Sequence, residues 1–209
     1  MNIEVKNKLI IISSPSGAGK TTICKFLLKK MNNLQLSVSY TSRKKRPSEV
    51  NKKDYFFISK KKFLDLNKKN FFIETAKNFD NLYGSPFSNI RNANKNNKNL
   101  LFDIDWKGAR KIRKKIDKIK IIDIFILPPS KLELKNRLIK RGSENRKEIK
   151  LRLSYAYNEM KHYNEYKYVL INDNVNETIN KIINIINYNL LIDKNNLIIK
   201  KKLKKIINF

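Results

Sequence analysis

A glycine-rich segment near the amino terminus carries residues that could bind phosphate. It runs from Ser14 to Thr21 (SPSGAGKT) and matches the pattern GxxxxGK[ST] except at its first position, where Ser14 replaces glycine. Backbone N–H groups converge on phosphate oxygens only where side chains do not intrude, so Gly17 and Gly19 matter most. Lys20 can reach the β- and γ-phosphates of a nucleotide, and the Thr21 hydroxyl can join a Mg²⁺ shell. The alternative interpretation is a chance glycine turn.

Two arginines, Arg43 and Arg46, form a second group with chemical potential. They are three residues apart and can present two guanidinium forks to a phosphate dianion. The alternative is that they are ordinary members of the basic run RKKR.

Asp103, at the end of an apolar run, could hold Mg²⁺ through water in the manner of a Walker-B aspartate, or could simply cap the strand end.

Short apolar runs indicate the elements that must position these residues. Each run is followed by a helical pattern, and the first leads directly into the glycine-rich segment. The runs cover residues 9–12, 100–105, 121–127 and 168–172, and the last helical pattern covers roughly 176–190. Strands alternating with helices predict an α/β fold, with a parallel sheet covered by helices on both faces.

Residues 36–95 have a different character from the rest of the chain. Polar and apolar positions alternate and turn residues are frequent, which predicts a small, mainly β insertion with a short helix near 60–69. A second polar segment, 137–152, has a helical pattern and carries arginines. The basic end, 191–209, is interpreted as an amphipathic or frayed extension. Insertions at the carboxyl edge of a parallel sheet are common places for substrates.

Composition narrows the class of protein. At 209 residues the chain suits one α/β catalytic unit, and it lacks an apolar run of the roughly 18 residues needed to span a membrane. We therefore expect a cytoplasmic protein without a membrane partner.

The net charge of +29 implies salt-sensitive attraction to polyanions, but the lysines are spread over the whole chain, so we expect no specific nucleic-acid partner. The oligomeric state, monomer or homo-oligomer, is left undetermined.

Over about residues 8–190 the sequence resembles the guanylate kinase family. The runs that carry the resemblance are SPSGAGK (14–20), SVSYTSRKKRPSEV and DYFF (37–57), FIE (72–74), YGS (83–85), DIDWKGA (103–109), ILPPS (126–130), RLIKRG (137–142) and VLIND (169–173). The resemblance implies a P-loop NTPase-type parallel sheet flanked by helices, a GMP-binding insertion and a helical lid. It implies a core at about 1–35, 96–136 and 153–190, an insertion at 36–95, and a lid at 137–152.

The resemblance also implies substrates and site residues. The reaction would move the terminal phosphoryl group of ATP onto GMP with Mg²⁺, which Thr21 and Asp103 would hold. ATP would bind at Ser14, Pro15, Ser16, Gly17, Ala18, Gly19, Lys20, Thr21, Thr22 and Asn172. GMP would bind at Ser39, Arg43, Arg46, Tyr55, Glu74, Tyr83, Gly84, Ser85 and Asp105. The catalytic cations would be Lys20, Arg43, Arg137, Arg141 and Arg152.

Guanine chemistry explains the carboxylate in that set. Guanine offers N1–H and an exocyclic N2–H₂ at its Watson–Crick edge, and one carboxylate can accept both, whereas adenine lacks this donor pair. Glu74 is predicted to take this role, although by itself it also fits an ordinary surface carboxylate. The lid arginines by themselves also fit a solvated basic helix. The alternative function is a catalytically inactive module that binds phosphorylated ligands, but the intact Gly17, Gly19, Lys20 and Thr21 argue against it.

Overall fold

The computed structural model describes residues 4–78, 80–140 and 146–207. Its strands are β1 (Leu9–Ser13), β2 (Leu34–Leu36), β3 (Tyr40–Thr41), β4 (Phe56–Phe57), β5 (Phe72–Asn78), β6 (Asn81–Pro86), β7 (Asn99–Asp103), β8 (Ile121–Leu127) and β9 (Tyr168–Ile171). Its α-helices are α1 (Lys20–Lys30), α2 (Lys60–Lys68), α3 (Phe87–Lys95), α4 (Trp106–Lys115), α5 (Lys131–Lys140), α6 (Arg146–Met160) and α7 (Val175–Ile207). The four strands predicted from apolar runs are all present.

The central sheet has five strands in the order β2-β7-β1-β8-β9, and all its pairings are parallel. Successive side chains of a strand point to opposite faces, and both faces of β1 are buried. Leu9 and Ile11 pack with α3 and α4 on one face, while Ile10 and Ile12 pack with α1 and α7 on the other. The predicted α/β fold with a doubly covered parallel sheet is therefore confirmed.

A second sheet lies between β2 and β7 in the chain and has four strands in the order β4-β3-β6-β5. The short helix predicted near 60–69 is α2, which begins after Ser59, whose hydroxyl accepts the Lys62 N–H. Residues 34–42 alternate between polar and apolar side chains, and this segment divides between the two sheets. Its first part, β2, pairs with β7 of the central sheet, and its second part, β3, pairs with β6 of the second sheet. Helix α3 was not predicted, and its Ile90 belongs to the core of the central sheet.

Helices α5 and α6 cover the predicted lid segment on either side of residues 141–145, which lie outside the described residues. The last helix, α7, continues through residue 190 to Ile207 without a break, so the basic extension begins as part of a long helix. An ion pair of 2.8 Å between Lys8 and Asp193 ties α7 to the start of β1. Among the described residues, no helix combines the length and apolar character needed to cross a membrane.

Candidate active site

The phosphate loop connects β1 to α1 at the carboxyl edge of the central sheet. Gly17 and Gly19 have φ of 92° and 95°, a region that side chains strongly disfavour, which explains the glycines at these two positions. Ser14 is not among the described non-glycine residues with positive φ, so its side chain at the first loop position introduces no backbone strain. Thr21 and Thr22 lie exposed in the first turn of α1.

Lys20 and Asp103 meet where the loop passes the end of β7. The ammonium lies 2.9 Å from the carboxylate and also donates to the carbonyl of Ile104 at 2.8 Å. Burial alone would lower the pKa of Lys20, but the attraction and hydrogen bond of Asp103 outweigh it and raise the pKa above its ordinary value. Lys20 is therefore a permanent cation beside the loop, and Asp103 is a carboxylate at the loop's edge.

Glu74 belongs to a buried polar cluster on the second sheet, called the acceptor pocket below, which also includes Ser39 and Ser85. It is 2% exposed, and its Oε1 accepts the Ser85 hydroxyl at 2.7 Å across the β5–β6 pair. Ser39 extends this series of hydrogen bonds, since its hydroxyl lies 2.9 Å from the Ser85 hydroxyl. Burial, with the Asp105 charge adding to it, raises the pKa of Glu74 to about 7. The pocket thus holds a desolvated acceptor.

Helix α4 closes this pocket from the side of the central sheet. Asp105 caps the helix by accepting the Gly108 N–H at 2.9 Å. A Cβ at Gly108 would lie 2.7 Å from Glu74 Oε2, so glycine is what permits the close approach. Gly84, which is predicted to bind GMP, packs closely against two aromatic rings, since a Cβ there would lie 3.0 Å from Phe63 and Phe72.

The predicted phosphate-binding arginines follow β3, which pairs with β6 of the second sheet. Arg43 makes a two-pronged contact with Glu49 at 2.6 and 3.0 Å, and its guanidinium lies 5.6 Å from the Tyr55 ring centroid. Burial alone would lower the pKa of Arg43, but its interactions with Glu49 and Tyr83 outweigh burial and raise that pKa. The Arg46 side chain is 43% exposed and lies 3.8 Å from Glu49. One carboxylate therefore orients both guanidinium groups.

The predicted lid arginines occupy different positions. Arg137 lies on α5 and donates to Glu133 at 2.8 Å, to the Asn172 carbonyl at 3.1 Å and to the Ala18 carbonyl at 3.5 Å. Its guanidinium is therefore held against the backbone behind the phosphate loop. Arg152 lies on α6. Arg141 lies outside the described residues, so its predicted catalytic role is carried forward from the sequence alone.

Asn172 supports the same part of the loop. It is fully buried and donates from Nδ2 to the Ala18 carbonyl at 2.8 Å. A Cβ on Gly19 would lie 2.7 Å from this Nδ2, so the amide group lies directly against the loop. The predicted contact of Asn172 with adenine stays a prediction, and in the structure the amide group packs beneath the loop.

Comparisons with known proteins show which family this chain belongs to. The family model described as Guanylate kinase matches residues 6–189. The chain belongs to the guanylate kinase family. It is 47% identical over 186 residues to a guanylate kinase of Rickettsia felis, with 89% of this chain and 96% of the relative aligned. It is 42% identical over 187 residues to that of Wolbachia pipientis wMel, with 90% and 92% aligned.

A solved structure gives the same result. The guanylate kinase of Anaplasma phagocytophilum is similar with a TM-score of 0.72 and 34% sequence identity, covering 90% of this chain and 88% of that one. The family match ends at residue 189, whereas α7 of this kinase continues to Ile207. The last turns of α7 therefore lie beyond the matched family domain.

Sequence reasoning missed two acidic residues of this kinase. Glu49 holds Arg43 and Arg46, and its spacing of six and three residues after them in RKKRPSE was the available signal. Glu159, on α6, accepts the Ser16 N–H of the phosphate loop at 3.0 Å. No local pattern pointed to Glu159, because its partner is a backbone group 143 residues away.

Proposed function

We propose that this guanylate kinase transfers the γ-phosphoryl group of ATP to the phosphate of GMP, and that the site residues described above carry the reaction. The observation that best supports this is the adjacency of the two halves of the site. Asp54, which precedes Tyr55 in the insertion, pairs with Lys25 of α1 at 3.4 Å, and Lys25 lies about one and a half helical turns after Lys20. This contact supports a short distance between the insertion that would hold GMP and the helix that follows the phosphate loop, as transfer between two phosphates requires.

Each group then has a defined task. Phosphoryl transfer needs positioning and charge stabilisation more than covalent chemistry, so the loop N–H groups and Lys20 would hold and stabilise the moving phosphoryl group. Arg43, Arg46, Tyr55 and Tyr83 would fix the acceptor phosphate, and Glu74 with Ser85, Ser39 and Asp105 would select guanine. Arg137, Arg141 and Arg152 remain our proposed lid cations, with Arg137 also supporting the loop backbone.

The residues near the loop suit a magnesium ion. Thr21 and Asp103 offer a hydroxyl and a carboxylate, which are the hard oxygen donors that Mg²⁺ prefers. The described residues contain no cluster of three or more His, Cys, Asp or Glu side chains that could hold a metal alone, which is the arrangement expected when substrate phosphates and water complete the shell. When bound, Mg²⁺ would neutralise charge on the β- and γ-phosphates.

We further propose that the core, insertion and lid act as one catalytic unit over residues 1–190. Support comes from the site itself, which draws Lys20 from the core, Glu74 from the insertion and Arg137 from the lid segment. We infer a cytoplasmic location because ATP and GMP are cytoplasmic metabolites.

An acceptor panel tests the reaction. With ATP and Mg²⁺ we expect kcat/KM for GMP to exceed that for AMP by about 10⁴-fold, because only guanine offers the donor pair that Glu74 can accept. The measurement is coupled ADP release with GMP, AMP, CMP, UMP and TMP. Comparable values for GMP and AMP would refute the proposed acceptor.

Arg46→Ala tests the acceptor phosphate site. Arg46 would contact this phosphate in both the ground and transition states, so its loss should raise KM for GMP about 10- to 100-fold with a smaller change in kcat. Lys44→Ala is the matched control, since it removes one nearby exposed positive charge outside the pocket. If both variants raise KM equally, the effect is general charge attraction and the site assignment is wrong.

A further inference from the structure

Glu159, on α6, makes a direct hydrogen bond to the phosphate loop. Its Oε2 accepts the Ser16 N–H at 3.0 Å. Burial and the Asp105 charge raise the pKa of Glu159, while the Ser16 N–H, Lys20 and Lys107 oppose that shift. The carboxyl group of Glu159 therefore serves as an acceptor for the backbone of the phosphate loop.

Helix α5 contacts the loop through the hydrogen bond from Arg137 to the Ala18 carbonyl and through apolar side chains. A Cβ on Gly17 would lie 3.0 Å from Leu134 and 3.1 Å from Leu138, so α5 lies against the loop. Leu134 and Leu138 in turn pack with Ala156 of α6. Apolar packing is not directional, so it holds α6 near the loop without setting its rotation or its position along its axis. A hydrogen bond is directional and can set both.

The position of Glu159 in α6 connects this contact to catalysis. Arg152 precedes Glu159 by seven residues, which is about two helical turns, so both residues lie on one face of α6. We propose that Glu159 is a positioning residue that, through its hydrogen bond to the Ser16 N–H, sets the placement of Arg152 relative to the phosphate loop. This inference rests on the proposed phosphoryl transfer and adds a residue to it.

Acceptor geometry, not negative charge, is the property that this role requires. Glutamine keeps an acceptor oxygen at the same distance from the backbone but has no charge, whereas aspartate keeps the charge on a side chain shorter by one methylene. If Glu159 acted through its negative charge, for example by stabilising the Lys20 cation, Glu159→Asp would stay active and Glu159→Gln would lose activity. The pair of substitutions therefore separates the two explanations.

Steady-state kinetics with four variants tests the proposal. We expect Glu159→Ala and Glu159→Asp to lower kcat about 10- to 100-fold, while Glu159→Gln stays within about fivefold of wild type. KM for GMP should change by no more than about twofold in all three. Asn158→Ala is the control on the exposed side of α6 and should leave kcat unchanged.

A double-mutant cycle with Arg152→Ala tests the connection. If Glu159 acts through Arg152, the combined Glu159→Ala and Arg152→Ala variant should be no more than about threefold slower than Arg152→Ala alone. Effects that multiply would overturn the proposal, as would an active Glu159→Asp with an inactive Glu159→Gln. Unchanged kcat in Glu159→Ala with only a lower Tm would also overturn it.

Amide hydrogen exchange at Ser16 provides a readout independent of turnover. Protection of the Ser16 N–H should persist in Glu159→Gln and fall in Glu159→Ala and Glu159→Asp. A wild-type enzyme that fails to phosphorylate GMP would refute the proposed function, while exchange would still report on the contact. Unchanged exchange in all three variants, with wild type active, would refute the Glu159 inference alone. If Glu159→Ala does not fold, the Gln and Asp variants decide the question.

Discussion

Lys20→Ala should lower kcat by about 10²- to 10³-fold and leave the Kd for GMP within about twofold. The ammonium lies beside the loop that would hold the transferring phosphoryl group, and removing one preorganised charge of this kind costs about this much. The acceptor pocket is built from other residues, so GMP binding should survive. Single-turnover kinetics and calorimetric GMP titration measure the two quantities.

The interpretation of this variant requires a stability control. Asp103 is 17% exposed and loses its partner when Lys20 is removed, so Tm should also fall. Rates are therefore compared well below the Tm of the variant. Lys29→Ala, on the exposed side of the same helix, removes equal charge and should leave kcat unchanged. A Lys20→Ala enzyme that keeps more than a tenth of the wild-type kcat would show that Lys20 does not act on the phosphoryl group.

Glu74→Gln should reduce the preference for GMP over AMP by about 10²- to 10³-fold. The amide replaces one acceptor oxygen with an NH₂ donor, which would face the guanine donors unfavourably but can pair with the N1 acceptor of adenine. The side chain is buried, so water cannot compensate for the mismatch. The ratio of kcat/KM values for the two nucleotides is the measurement. An unchanged ratio would show that Glu74 does not read the base.

The raised pKa of Glu74 also predicts that KM for GMP depends on pH. Its pKa is raised to about 7, and only the ionised carboxylate can accept both guanine donors. As pH falls through about 7 the carboxyl group gains a proton, so KM for GMP should rise from pH 8 to pH 6. Glu74→Gln has no titrating group at this position and should retain only the dependence that arises from other groups, including the GMP phosphate. Identical pH profiles for the two enzymes would contradict this assignment.

Local residue patterns were sufficient to predict the strands of the central sheet and the phosphate loop. Strands such as Leu9–Ser13 are visible in the sequence because burial on both faces requires a nearly continuous apolar run. The glycines of the phosphate loop are visible because positive φ and close approach exclude side chains at Gly17 and Gly19. Both requirements act on neighbouring residues, so they leave a mark in the local sequence.

Only the tertiary structure decided which distant groups meet. Strand β2 joins the central sheet through its pairing with β7, and its alternation of polar and apolar residues is equally compatible with the insertion sheet. Asn172 lies beneath Ala18, and Glu159 reaches Ser16, across separations of 154 and 143 residues. A carboxylate or amide carries no sequence mark of its partner when that partner is a backbone group, because every residue except proline offers the same N–H and every residue the same C=O.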